Sequence, residues 1–118
     1  MSAWTYLLLS EIGEVYLGAT TNLRVRFRAH NTANTKRWTR GRQWHLLAVR
    51  VFDTRDEAFA YESELKNRPD KKIVWKLQNV ERACRLVDRN SYSFNPHDWL
   101  KMHHPKYVRA AARQKNAP

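Results

Sequence analysis

Cys84 is the only cysteine, so no disulfide can form within the chain and no multi-cysteine zinc site can be assembled. A reducing, cytoplasmic setting is the simpler expectation. Long hydrophobic runs are also missing: the first apolar stretch ends at Leu9, no basic segment precedes it, and nothing approaches the ~20 residues of a membrane span. A soluble chain that is not exported is expected, with no membrane partner. No internal repeat and no low-complexity tract occurs, which excludes solenoid architectures. Acidic residues are scarce too, 11 Asp+Glu against 22 Lys+Arg, for a net charge of +11. That excess exceeds what solubility requires and implies a polyanionic partner.

Nucleic acid and an anionic membrane surface both concentrate negative charge and release counterions to Lys and Arg. Five Trp and five Tyr interleave with the basic residues and favour nucleic acid, because rings stack on bases while cations bind phosphates. The same rings could equally be core. At 118 residues a single hydrophobic core is expected.

Trp4 to Leu9 has the composition of a buried strand. Ser10 to Glu14 forms a turn, and Val15 to Ala19 returns antiparallel. If Tyr6 and Tyr16 share a face, the register pairs Leu9 with Val15, Leu8 with Tyr16 and Tyr6 with Gly18. A helix follows from about Asn22 to Asn31 on the Leu23/Phe27 stripe, then a basic loop over 32–44. Trp44 to Phe52 is a third strand. Thr54-Arg55-Asp56-Glu57 starts a second helix that Asn67-Arg68-Pro69 stops, and Ile73, Leu77, Val80, Cys84 and Val87 predict one long third helix. The expected organisation is an α+β domain over 1–89, a small three-stranded antiparallel sheet flanked by helices, with a basic C-terminal appendage over 90–118. In that appendage His97, His103 and His104 lack carboxylate or thiolate partners at ligand spacing, so no metal is assigned to them.

Glu62 is the residue out of place. With Ala58 at 0° on the second helix, Phe59 falls at about 100°, Tyr61 at about 300°, Leu65 at about 340° and Glu62 at about 40°, inside the apolar arc. Glu57 is explained as a cap, and Glu64, at about 240°, faces solvent. A half-buried carboxylate needs a cation, either a hard divalent metal or a neighbouring Arg or Lys. On the first helix Arg26 and His30 are four apart and therefore adjacent, flanking the apolar stripe. Arg24 and Arg28 project elsewhere, where phosphate contact or solvation would serve equally.

Tyr6-Leu7-Leu8, Tyr16-Leu17-Gly18 ten residues on, Arg26 ten later, His30, and Glu62 on a second helix together resemble the GIY-YIG nuclease family. The stretches Thr20 to Asn31 and Glu57 to Lys66 resemble its two helix signatures, and the likeness spans about residues 4–66. The resemblance implies a divalent-metal-dependent DNA endonuclease. It implies that Tyr6 and Tyr16 line the active site, Arg26 contacts the scissile phosphate, His30 assists, and Glu62 is the sole protein carboxylate on Mg²⁺ or Mn²⁺. Tyr6 is the expected general base, assisted by Tyr16, provided nearby cations lower its pKa from ~10. Arg24, Arg28, Lys36, Arg37, Trp38, Arg40, Arg42 and Lys66 are the expected nucleic-acid contacts.

The chain departs from the family pattern in three places. Trp4-Thr5 replaces a glycine, Ala19 stands where a basic residue can occur, and a later asparagine has only Asn67 and Asn79 as loose counterparts. Rival functions are a catalytically inactive nucleic-acid-binding module of the same fold and a basic protein-interaction adaptor.

Overall fold

The computed structural model of the protein describes residues 2–32, 41–90 and 92–94. Three strands, β1 (Ala3–Ser10), β2 (Val15–Thr20) and β3 (Trp44–Phe52), form an antiparallel sheet in the order β2-β1-β3. The described helices are α1 (Leu23–His30), α2 (Arg55–Asn67), α3 (Pro69–Leu77) and α4 (Val80–Asn90). The α+β expectation holds.

The hairpin adopts the register expected from the tyrosine parity: Leu9 pairs with Val15, Leu8 with Tyr16 and Tyr6 with Gly18. Its turn closes through Ser10. The Ser10 N–H donates to the Glu14 carbonyl at 2.9 Å, the Ser10 hydroxyl accepts from the Glu14 N–H at 3.0 Å, and Gly13 supplies the positive φ of 93°.

Between β1 and β3 the pairing shifts, Leu7 opposing Ala48 and Leu8 opposing Leu46, so Leu47 is an extra residue on β3. The bulge sorts β3 onto two faces. Trp44 and Leu46 join Tyr6 and Leu8 under Leu23 and Phe27 of α1, with Tyr16 at the margin. Leu47 and Ala48 join Leu7, Leu9 and Leu17 on the opposite face, covered by Leu65 of α2, Trp75 of α3, and Ala83, Leu86 and Val87 of α4.

Both predicted caps form. Asn22 accepts from the Val25 N–H at 3.2 Å, and the Thr54 hydroxyl accepts from the Glu57 N–H at 3.2 Å while donating to the Glu57 carboxylate at 2.9 Å. Thr5 faces α2 and donates to the Ala58 carbonyl at 2.7 Å, which ties the helix start to the central strand. The replaced glycine is thus accommodated in regular strand.

The single long third helix is corrected to two. Pro69 ends α2 but also opens α3 at its first helical position, where its missing N–H costs nothing. The break after Leu77 comes from Asn79. Its side-chain amide donates to the Trp75 carbonyl at 2.8 Å, and its own N–H turns to the Lys76 carbonyl at 3.0 Å. α4 therefore starts in a new phase and buries Ala83, Leu86 and Val87 rather than the predicted Val80 and Cys84 stripe.

Beyond α4, Tyr92 and Phe94 pack into the core, and Ser93 bonds the Glu11 carbonyl, so packed chain continues past residue 90. His97, His103 and His104 lie outside the described residues.

Candidate active site

Tyr6, Tyr16, Arg26, His30 and Glu62 are brought from two strands and two helices to one place. Tyr6 is fully buried, and its hydroxyl is hydrogen-bonded to His30 Nε2 at 3.0 Å. His30 is buried as well, at the last turn of α1. The Tyr16 ring lies 6.3 Å from Tyr6, 4.6 Å from His30 and 6.3 Å from Trp44, centroid to centroid. Unlike Tyr6, Tyr16 keeps partial exposure. Arg26, one turn before His30, lies close enough to both phenols to interact with them electrostatically.

Burial pushes the Tyr6 phenol up to about 12. The neighbouring Tyr16 and the Glu62 carboxylate add to the rise, and Arg26 works against it. Burial likewise works against the Arg26 cation, but the interactions with Tyr16 and Tyr6 outweigh it and hold the guanidinium above its ordinary value. Arg26 is therefore a permanent positive charge beside the Tyr6 phenol, which stays protonated. The condition attached to Tyr6 as base, a pKa lowered by cations, is not met by the protein's own groups.

Glu62 lies where the helical angle put it: its side chain is 16% exposed, and its charge is felt at Tyr6. Its cation in this fold is Lys66, one helical turn on, at 2.5 Å. Phe59 departs from the predicted arc. It is 39% exposed, with Arg55 stacked on its ring at 4.9 Å, because the sheet meets α2 along Ala58 and Leu65 instead. Glu64 faces solvent as expected and pairs with Lys71.

Arg24 and Arg28 are exposed. Arg42 is engaged with Glu14 at 2.7 Å, which fastens the chain before β3 to the hairpin turn, so this arginine and Lys66 already hold internal partners. Lys36, Arg37, Trp38 and Arg40 lie outside the described residues.

Among the described residues no three His, Cys, Asp or Glu side chains gather into a metal cage. The oxygen-only set of Glu62 and two phenols fits a hard cation that keeps most of its waters and completes its shell from substrate, as Mg²⁺ does. It does not fit a soft or structural metal.

Three residues shape the site in ways the sequence reading did not assign. Gly18 faces Tyr6 across the hairpin, and a Cβ there would lie 2.6 Å from both Tyr6 Cζ and Oη and 2.9 Å from Tyr16 Cε1. A glycine paired with a tyrosine inside a strand was the available signal. Trp44, 1% exposed, backs the Tyr16 ring. Asn31 clamps the Trp44 backbone, accepting from its N–H at 2.7 Å and donating to its carbonyl at 3.1 Å. Nothing local marks that pairing, since the two residues are 13 positions apart.

A family model described as the GIY-YIG catalytic domain matches residues 2–77, which include all five clustered residues. A UPF0213 protein of Streptococcus pneumoniae is 31% identical over 98 residues, covering 82% of this chain and 93% of its own. UPF0213 protein BH0048 of Halalkalibacterium halodurans is 32% identical over 68 residues, covering 57% of this chain and 72% of its own. The solution NMR structure of UPF0213 protein BH0048 from Bacillus halodurans is 30% identical, covers 67% of this chain and 87% of that chain, and superposes with a TM-score of 0.43.

Proposed function

Since the chain belongs to the GIY-YIG family, we propose that it is a divalent-metal-dependent endonuclease hydrolysing phosphodiester bonds in DNA. The observation that carries this reading is the convergence of Arg26 and Glu62 on the buried Tyr6 and its partly exposed neighbour Tyr16. Arg26 lies beside both phenols and offers its N–H groups to a phosphoryl oxygen, neutralising the charge that develops there. Glu62 would hold the metal. When bound, Mg²⁺ or Mn²⁺ supplies Lewis-acid stabilisation of the phosphoryl group and orients water.

We further propose that the two tyrosines exchange the roles expected of them. Losing a proton is costly for the wholly buried Tyr6, whereas Tyr16 reaches solvent beside the Arg26 charge. We assign the base to Tyr16. Tyr6 stays protonated and, through His30 and Arg26, fixes the geometry. Among the described residues no helix is long and apolar enough to cross a membrane, and the reading puts the protein with DNA, in the cytoplasm or nucleoid.

The Glu62–Lys66 pair favours a second reading, an inactive nucleic-acid-binding module, because that carboxylate already has a cation. Nicking of supercoiled plasmid under Mg²⁺ or Mn²⁺ titration separates the two. Glu62→Gln is expected to lower nicking by about two to three orders of magnitude, the loss of several kcal/mol of metal stabilisation. It should leave the fold intact, since an ion pair to a lysine 58% exposed is worth under about 1 kcal/mol. DNA binding should persist or tighten, as a negative charge near the phosphate is removed. Wild-type protein that binds DNA but nicks nothing under either metal would establish the inactive module instead.

A further inference from the structure

Residues 78–94 lie beyond the family match, and α4 within them carries a charge pattern that the active site does not use. Arg82, Arg85 and Arg89 occupy about 60° of its surface, next to the buried Leu86, with Glu81 and Asp88 on the adjoining arc about 40–60° beyond Arg85. With Leu86 they line a hollow of about 140 Å³.

Arg82 is anchored: its Nε donates at 2.8 Å to the Leu46 carbonyl at the outer edge of β3, which engages one N–H of the fork. Among the described residues, Arg85 and Arg89 have no ion pair or hydrogen bond. Elsewhere Glu14, Glu62, Glu64 and Asp70 each take a basic partner. Three like charges side by side repel, and an external anion relieves that. Guanidinium forks match phosphate oxygens in pairs. From Arg82 to Arg89 the helix rises about 10 Å, a span that covers roughly three phosphates of one strand in duplex DNA.

We infer that Arg82, Arg85 and Arg89 form a phosphate-binding station for the backbone of bound DNA. It stands at the outer edge of β3, on the face of the sheet that α2, α3 and α4 cover, whereas Tyr16 lies on β2 at the opposite edge. The inference rests on the protein acting on DNA.

The test is the salt dependence of duplex binding for the wild type and three double variants, each checked for fold by circular dichroism. Each phosphate contact contributes about 0.9 to the slope of log affinity against log salt. R85A/R89A is therefore expected to lower the slope by about 1.8, so that its affinity deficit shrinks about 12-fold between 50 and 200 mM salt. R85K/R89K should restore the slope. R68A/K71A removes two charges already paired to Asp70 and Glu64 and should leave it near wild type. An unchanged slope in R85A/R89A, with the wild type still binding and nicking DNA, overturns the station alone. An equal loss in R68A/K71A overturns it in favour of diffuse charge. Absence of wild-type DNA binding overturns both readings.

Discussion

Gly18→Ala sets two physical effects against each other, and the structure decides which prevails. Gly18 is inside β2, so strand propensity and chain entropy alone predict that alanine stabilises, by roughly 0.5–1 kcal/mol. Space predicts the reverse. The added methyl would lie 2.6 Å from Tyr6 Cζ and Oη and 2.9 Å from Tyr16 Cε1, against ~3.5–4.0 Å for ordinary carbon contact. The Tyr6 phenol would have to retreat by about 1 Å in a well-packed interior, an overpacking cost of about 1–3 kcal/mol. The retreat also strains its 3.0 Å bond to His30, worth roughly 1 kcal/mol. The net expectation is a loss of about 1–3 kcal/mol. For a domain of this size that lowers Tm by roughly 5–15 °C. Nicking under Mg²⁺ should fall about 100-fold, because a displacement of ~1 Å misplaces the groups around the phosphate. Tyr6→Phe in the same background removes the Oη clash but not the Cζ clash, so the double variant should recover part of the stability, a non-additive result. Equal or higher Tm for Gly18→Ala, together with wild-type nicking, would refute the reasoning.

Lys76 is buried on α3, and burial, followed by the like charge of Lys72, pulls its ammonium down to about 8. Between pH 8 and the unfolded value of ~10.5 the unfolded chain binds more protons. Stability should therefore rise with pH across that window, with the full penalty present below pH 8. Lys76→Met is expected to stabilise at pH 7 by on the order of 2 kcal/mol and to flatten the rise; unchanged urea midpoints at pH 7 and 10 would count against it. Asn31→Ala removes both bonds to the Trp44 backbone and should cost about 2–3 kcal/mol, with a lower urea midpoint at unchanged m. A loss under ~0.5 kcal/mol would show that the clamp is incidental.

The sequence by itself determined what depends on near neighbours and on period. Tyrosine parity specified the hairpin register, since a slip of one residue turns every strand side chain over. Thr54 with Glu57 located the start of α2, and the 100° helical step put Glu62 in a half-buried arc before any partner was known. Periodicity reports which face a residue occupies but not what that face meets. Hence only the tertiary structure decided that Lys66 neutralises Glu62, that Phe59 stays at the surface, and that Arg42 serves the hairpin turn. The apolar spacing from Ile73 to Val87 suits one helix. Asn79 breaks it because its side chain competes for the Trp75 carbonyl, a choice settled by the two halves packing at different phases on the sheet. The candidate site divides the same way: the sequence supplied both tyrosines, and only the fold, with α1 closing over β1 while β2 stays at the sheet edge, buries Tyr6 wholly and leaves Tyr16 partly exposed.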